Sequence, residues 1–440
     1  MTANAEIRLG EDAPLGLRLY RAVSLASEPL ARFLLRRRLA QGREDQARIG
    51  ERTGAPGRER PDGPLVWIHG ASVGESLSVL PLVKRLAEER PALNFLVTTG
   101  TVTSARLMAE RLPAGAIHQF IPIDLPRYVS GFLDHWRPDA AIFVESEFWP
   151  NLIMEARRHT KLLALVNGRV SPKSFNEWKR KPQTIRFLLS QFDLLIAQDN
   201  QNAERLSTLS GAQVAAFGNL KNAAPPLPAD DDGMRQLTEQ IGARPSWLAA
   251  STHPGEEEFI FDTHKMLKHD YPDILTVLAP RHPQRGAEVQ DLALQSGLTA
   301  LLRSSKGEIT PDTDVYIADT LGELGLFYRM TQISFVGGSI TEKGGHNPLE
   351  PARLGTAILH GPHVFNFVET YKEMRGGGGS ALVRNERELA TAVRRLMSDE
   401  KTRIAMSSSA RNTADANAER VLKEVVKELL MRFESDKQAA

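Results

Sequence analysis

PLVWIHGASVGES, residues 64–76, opens as an unbroken apolar run, turns through small residues, and leads into a helical pattern. Strands covered on one face alternate apolar and polar residues, whereas strands covered on both faces read as continuous apolar runs. Leu65–Ile68 is of the second kind, so it predicts a central strand of a parallel sheet flanked by helices. The helical stretch from about Ser76 to Arg90 carries Pro81 in its interior, which predicts a kink there or a later start.

Outward from this stretch the pattern repeats. LNFLVTT (93–99), AAIFV (140–144), KLLALVN (161–167) and LLIAQ (194–198) read as strands separated by helical patterns. It halts at AAPPLPADDDG, residues 223–233, whose prolines and acids read as a linker. It restarts with WLAAS (247–251), ILTVLAP (274–280), DVYIA (314–318), ISFVGG (333–338) and TAILHGP (356–362). The expected fold is α/β: two doubly wound, Rossmann-like domains with a ligand cleft between the carboxyl ends of their strands. The expected organisation is an N-terminal segment over 1–45, a first α/β domain over 46–222, and a linker over 223–235. A second α/β domain follows over 236–398, then two or more C-terminal helices over 399–440. Gly376–Gly379 predicts a flexible loop.

With 440 residues the chain exceeds one ordinary core, which agrees with two domains. A net charge of +1 argues against a nucleic-acid partner. The absence of cysteine removes disulfide and thiolate–metal chemistry. Basic charge is instead local: Arg18, Arg21, Arg32, Arg36, Arg37, Arg38 and Arg43 face only Glu28 in that stretch. Leu19, Val23, Ala26, Leu30, Phe33 and Leu34 recur every few residues among them, as on one stripe of a helix. Arginines interrupt every run long enough to span a bilayer, which takes ~20 apolar residues. An amphipathic helix lying on an anionic membrane is expected, against the alternative of an ordinary surface helix broken near Pro29.

Four segments hold the candidate chemistry. In HGASVGES (69–76), Glu75 falls at a helix start, where it can act as a general base or simply cap the helix. In VESEFWPN (144–151), alternation would point Glu145 and Glu147 to one side as a polar site, unless Glu147 and Trp149 only shape the corner. LAPRHP (278–283) presents Arg281 and His282 from a loop stiffened by Pro280 and Pro283. In GGSITEKGGHNPLEPA (337–352), glycines surround a helix mouth opened by Asn347, Pro348, Leu349 and Glu350, an arrangement that favours phosphate.

Other patterns carry less. Asp230–Asp232 and Asp312-Thr313-Asp314 do not close strands as metal-binding acid pairs do, and Glu256–Glu258 after His253 reads as an acidic first helical turn. No GxxxxGK[ST] is present and no clear GxGxxG follows a strand, which disfavours nucleoside triphosphatases and dinucleotide oxidoreductases.

Taken together, GREDQARIGERTG (42–54), HGASVGE, ESEFWPNL, STHPGEE (251–257), PRHPQR, ADTLGELGLFY (318–328), FVGGSITEKGGHNPLEPA and GPHVFNF (361–367) resemble the Kdo transferases. These are the 3-deoxy-D-manno-oct-2-ulosonic acid transferases of lipopolysaccharide synthesis. The resemblance implies a GT-B type fold, CMP-Kdo as donor, a lipid A precursor as acceptor, inversion at the sugar, and neither a catalytic metal nor a cofactor. It also implies attachment to the cytoplasmic face of the inner membrane. It assigns Glu75 as proton acceptor, and Glu145 and Lys221 as transition-state stabilisers. Pro280, Arg281, Leu321, Gly322, Glu323, Asn347, Pro348, Leu349 and Glu350 fall on the CMP-binding segments. One departure is that Asn222 and Ala223 follow Lys221 where relatives carry an aromatic residue and Asp. The alternatives are another GT-B enzyme using a UDP-sugar, an epimerase of that architecture, or a noncatalytic nucleotide-sugar-binding protein.

Overall fold

The computed structural model describes residues 13–438. Its chain forms two compact units, one running up to Pro225 and resumed from Ala418, the other spanning Pro226–Asn417. Residues 1–12 of the expected N-terminal segment and 439–440 of the expected C-terminal helices lie outside the described residues.

The first unit holds a parallel sheet of β1 (Leu65–His69), β2 (Asn94–Thr99), β3 (Ile117–Phe120), β4 (Ala140–Val144), β5 (Leu162–Gly168), β6 (Leu194–Ala197) and β7 (Ala215–Ala216). The spatial order is β3-β2-β1-β4-β5-β6-β7, so the winding reverses between β1 and β4. The continuous apolar run of β1 has a direct cause. Val66 and Ile68 pack into a core on one face with Val97, Ile142 and Val166, while Leu65 and Trp67 pack into a second core on the other. Each fully buried large side chain contributes about 2 kcal/mol through loss of water contact. The helix after β1 starts at Val73 and continues through Pro81 to Glu89, so the proline neither delays its start nor ends it.

The second unit repeats the plan with β8 (Ser246–Thr252), β9 (Leu275–Pro280), β10 (Ala300–Leu302), β11 (Val315–Ile317), β12 (Ile333–Val336), β13 (Ala357–His360) and β14 (Ser380–Leu382). The order is β10-β11-β9-β8-β12-β13-β14, and the winding reverses between β8 and β12. Both sheets are thus doubly wound, with ligand sites expected where the winding reverses.

Three sequence expectations need correction. The stretch read as a linker is helical from Asp231, because Asp230 caps that helix through the Gly233 N–H. The tail forms one helix, Glu400–Gln438, since no glycine or proline occurs within it to stop it. Gly376–Gly379 is a hydrogen-bonded helix end and not a free loop: Gly379 N–H donates to Met374 O, and Ser409 Oγ donates to Gly377 O. A Cβ on Gly379 would stand 2.7 Å from the Ala410 backbone nitrogen, so glycine is required by close approach.

The N-terminal segment forms two helices, Leu15–Ala26 and Glu28–Ala40, broken at Ser27 because Pro29 supplies no N–H for a continuous ladder. Leu17 anchors the first against Met154 and Leu188, and Arg21 pairs with Glu155 at 2.6 Å. Leu15, Leu19, Val23, Leu30, Phe33 and Leu34 nevertheless stay exposed, Leu15 at 79%. Among the described residues no helix is long and apolar enough to cross a membrane.

Candidate active site

In the first unit the reversal point brings together the ends of β1 and β4. After β1, Ser72 accepts the Glu75 N–H, and the Glu75 carboxylate reaches back to the Ser72 hydroxyl and the Ala71 N–H, each at 2.7 Å. This is a variant of the capping box in which the carboxylate takes the N–H of the residue before the cap, so the structural role foreseen for Glu75 is fulfilled. Each carboxylate oxygen keeps a further lone pair, and the residue is 9% exposed, so it can still accept a proton from a neighbouring group.

After β4 the chain leaves the extended conformation. Glu145 adopts φ 64°, the left-handed region, so it does not share a side with Glu147 through strand alternation. The turn aims Glu145 at Lys221, whose Nζ lies 2.5 Å from its Oε1. Glu147 instead accepts from Trp149 Nε1 and stands 3.8 Å from Nε2 of the buried His69. Burial pushes the Glu147 carboxyl up, but His69 and the Trp149 N–H outweigh it and hold it below its ordinary value. Lys221 is placed from β5: Asn167 Oδ1 accepts the Leu220 N–H at 2.9 Å, and Asn219 accepts the Lys221 N–H at 2.9 Å. A Cβ on Gly74 would come within 3.6 Å of Lys221 Cε, so the lysine passes over the first turn of the Glu75 helix. Glu75, Glu145 and Lys221 therefore share one end of one sheet. Asn167 was not foreseen, since nothing local in KLLALVN marks a residue whose partner lies 53 positions away.

In the second unit the glycine-rich turn after β12 behaves differently from the expectation. The Gly338, Ser339 and Ile340 N–H groups all donate to the Glu256 carboxylate, at 2.6, 2.9 and 2.9 Å. The His253 N–H adds a fourth bond at 3.0 Å. The N–H groups of this turn are thus taken up by the protein's own carboxylate, apart from the helix mouth at Asn347 where phosphate was expected. The following helix, Leu349–Arg353, has only five residues, and Asn347 Oδ1 already accepts the Leu349 N–H. A helix so short offers little dipole to an anion, so positive charge has to come from side chains.

Those side chains are present. Arg281 follows β9, exposed, with its N–H fixed to Thr252 O at 3.0 Å. Its charge acts on Glu350, His253 and His346. Burial pushes the Glu350 carboxyl up, and Asn347 and Arg281 offset only part of that. Leu321 is 79% exposed and Gly322 takes φ 86° in the turn after β11. Glu323 is bound to Arg303 at 2.8 Å, which leads the effects that lower its pKa. The residues expected to bind the nucleotide, Pro280–Arg281, Leu321–Glu323 and Asn347–Glu350, therefore all lie at or after carboxyl ends of strands in this sheet. Asp314, set aside as a metal ligand, pairs with Lys268 at 2.5 Å.

A family profile described as "3-Deoxy-D-manno-octulosonic-acid transferase (kdotransferase)" matches residues 47–224. The 3-deoxy-D-manno-octulosonic acid transferase of Rickettsia bellii is 36% identical over 388 residues, covering 88% of this chain and 92% of that protein. The chain belongs to the Kdo transferase family. The Kdo transferase of Haemophilus influenzae is 34% identical, covering 80% of this chain and 84% of its own length. A glycosyltransferase structure from Rickettsia africae is similar with a TM-score of 0.58 over 84% of this chain and 99% of that one. At 12% identity that likeness shows the fold alone. Among Kdo transferases, then, this chain carries its acids and lysine on one doubly wound sheet and its arginine and histidines on another.

Proposed function

We propose that this Kdo transferase moves Kdo from CMP-Kdo to a sugar hydroxyl of the lipid A precursor, in lipopolysaccharide synthesis. Membership of the family over most of the chain carries the reading. Glu75 takes the proton of the attacking hydroxyl as a general base. The hydroxyl oxygen bonds to the anomeric carbon while the bond to the CMP phosphate breaks on the opposite face, inverting the centre. Lys221, held by Glu145, stabilises charge that develops in the transition state. Arg281 meets the single phosphate of the leaving CMP with a planar donor fork, so no divalent cation is required. Glu350, whose carboxyl burial pushes up, can hydrogen-bond ribose hydroxyls.

The same reading places the chain on the cytoplasmic face of the inner membrane. Exposed Leu15, Leu19, Val23 and Phe33 would enter the interface, and the arginines would meet anionic headgroups. Product mass after incubation with CMP-Kdo and a lipid A precursor tests the donor and acceptor together. A parallel incubation with UDP-sugars is expected to give no product, and transfer from a UDP-sugar alone would overturn the donor assignment.

A further inference from the structure

Glu256 is fully buried, and its carboxylate gathers backbone N–H groups from the loop after β8 and the loop after β12. Four such bonds on one carboxylate fix the two loops against each other. Each loop carries a histidine, and the clamp leaves the two rings nearly coplanar and tip to tip, with centroids 5.2 Å apart and planes inclined by 6°. Their Nε2 atoms lie 2.9 Å apart. Gly338, at φ 67°, makes the space: a Cβ there would stand 3.2 Å from the His346 ring.

A nitrogen-to-nitrogen hydrogen bond requires one protonated and one bare nitrogen, so the two Nε2 atoms hold one proton between them. The surroundings oppose a second. His253 faces Glu256, His282, Lys343 and Arg281, and His346 faces Arg281, His253 and His282. Tyr371 donates its hydroxyl to the His346 carbonyl at 2.9 Å. Of the charged groups acting on the two rings, every one but Glu256 is cationic or can become so, and Glu256 already accepts four N–H donors. Burial first, then these neighbours, hold His346 down to about 4. His253 is lowered by the same causes, partly offset by Glu256. Both rings remain partly exposed and Arg281, His282 and Lys343 are exposed, so an anion can reach the cluster from solvent.

We propose that the His253–His346 pair is a donor-contacting proton sensor, taking up a second proton when an anionic oxygen of the sugar nucleotide binds against it. The inference rests on the donor reading of this unit. Its balance is simple: the N–H···N bond opens, the bare nitrogen takes a proton from solvent, and both Nε2–H groups donate to the anion. An incoming negative charge compensates the one imidazolium so formed, which burial and the neighbouring cations disfavour in its absence. Binding is therefore linked to proton uptake, and affinity falls as pH rises through the neutral range.

Calorimetric titration of the full chain, in buffers of different ionisation enthalpy, reads the protons taken up. Two ligands are used: the methyl ester of CMP, which carries one non-titrating phosphate charge, and CMP-Kdo, which adds a carboxylate. The expected result is net uptake near neutral pH, with affinity falling several-fold, at most about tenfold, per pH unit. Uptake with both ligands assigns the pair to the phosphate, and uptake with CMP-Kdo alone assigns it to the sugar carboxylate. Binding without uptake for either ligand overturns the inference and leaves the donor reading intact, whereas no binding at any pH overturns both. His346→Gln is expected to bind with the uptake removed, and persistent uptake in it would also overturn the inference. Should that variant fail to fold, His253→Gln serves the same end, and the unaltered chain decides in either case.

Discussion

Lys221 Nζ stands 2.5 Å from Glu145 Oε1, and the two side chains differ sharply in their access to water: 37% exposed for the lysine, 7% for the glutamate. Removing either partner therefore has unequal consequences. Lys221→Met leaves a buried carboxylate without its cation, whereas Glu145→Gln leaves an ammonium that water can reach. Lys221→Met should cost about 2 kcal/mol of stability, below the usual figure for a fully buried pair, and Glu145→Gln less than that. The double variant should recover part of the loss. Urea unfolding of the four proteins measures this, and strict additivity would show that the two residues are not energetically paired.

Glu75→Gln tests the proposed base. Glutamine keeps an oxygen for the Ala71 N–H, so the capped helix should survive with a loss within about 1 kcal/mol. Transfer should fall by roughly 10² to 10⁴ while CMP binding is unchanged. Transfer near the original rate would leave Glu75 with its capping role only.

Acid should destabilise the second unit through its buried histidines. His346 and His360 are both held down to about 4, by burial above all. Unfolded histidine binds its proton near 6.5, so between about 6.5 and 4 the unfolded state holds more protons than the folded one. The stability these neutral rings confer is full above about 6.5 and is lost as pH falls through about 4. Unfolding free energy followed across that range should decline with falling pH, and His360→Leu should flatten the decline. A rise in stability toward pH 4 would contradict the direction.

The N-terminal helices should hold the chain to vesicles by two separable means. Leu19 and Val23 are exposed and touch no core, so replacing both with Asn should leave thermal stability unchanged while weakening binding to anionic vesicles several-fold. Salt should weaken the unaltered chain as well, since each basic residue contributes about 1 kcal/mol that counterions screen. Binding indifferent to salt would remove the arginines from the account.

Transfer should also proceed in excess chelator, because arginine and histidine charge is proposed to meet the phosphate. Activity lost in chelator and restored by magnesium would place a cation in that role.

The strands were legible because two-sided burial writes itself into consecutive residues, as in LVWI over β1 and AAIFV over β4. The blocks around Glu75, Arg281 and Asn347 were legible because small residues and prolines must stand where a strand turns toward a ligand edge. What escaped depends on which strands become neighbours. Glu256 reads locally as an ordinary first-turn acid, and only the adjacency of β8 and β12 brings Gly338 to it, 82 residues away. The left-handed turn at Glu145 escaped for a different reason: glutamate rarely takes that conformation, so nothing in its identity announces it. The glycines after β12 were read together with the helix mouth at Asn347, and nothing local shows that the Gly338–Ile340 N–H groups belong to Glu256.

The last helix has a consequence for synthesis order. Its final turns supply Val421, Val425, Val426 and Leu429 to the core that Val66 and Ile142 begin, and Val421 lies so close to Gly218 that a Cβ there would stand 2.5 Å from it. On a ribosome the first unit's sheet emerges early, yet one wall of its core is translated only after the whole second unit. Until then the nascent chain must carry an uncovered apolar face, of the kind that chaperones hold and that aggregates when left alone. A stop codon placed just before Ala418 would therefore cripple the unit that was made first.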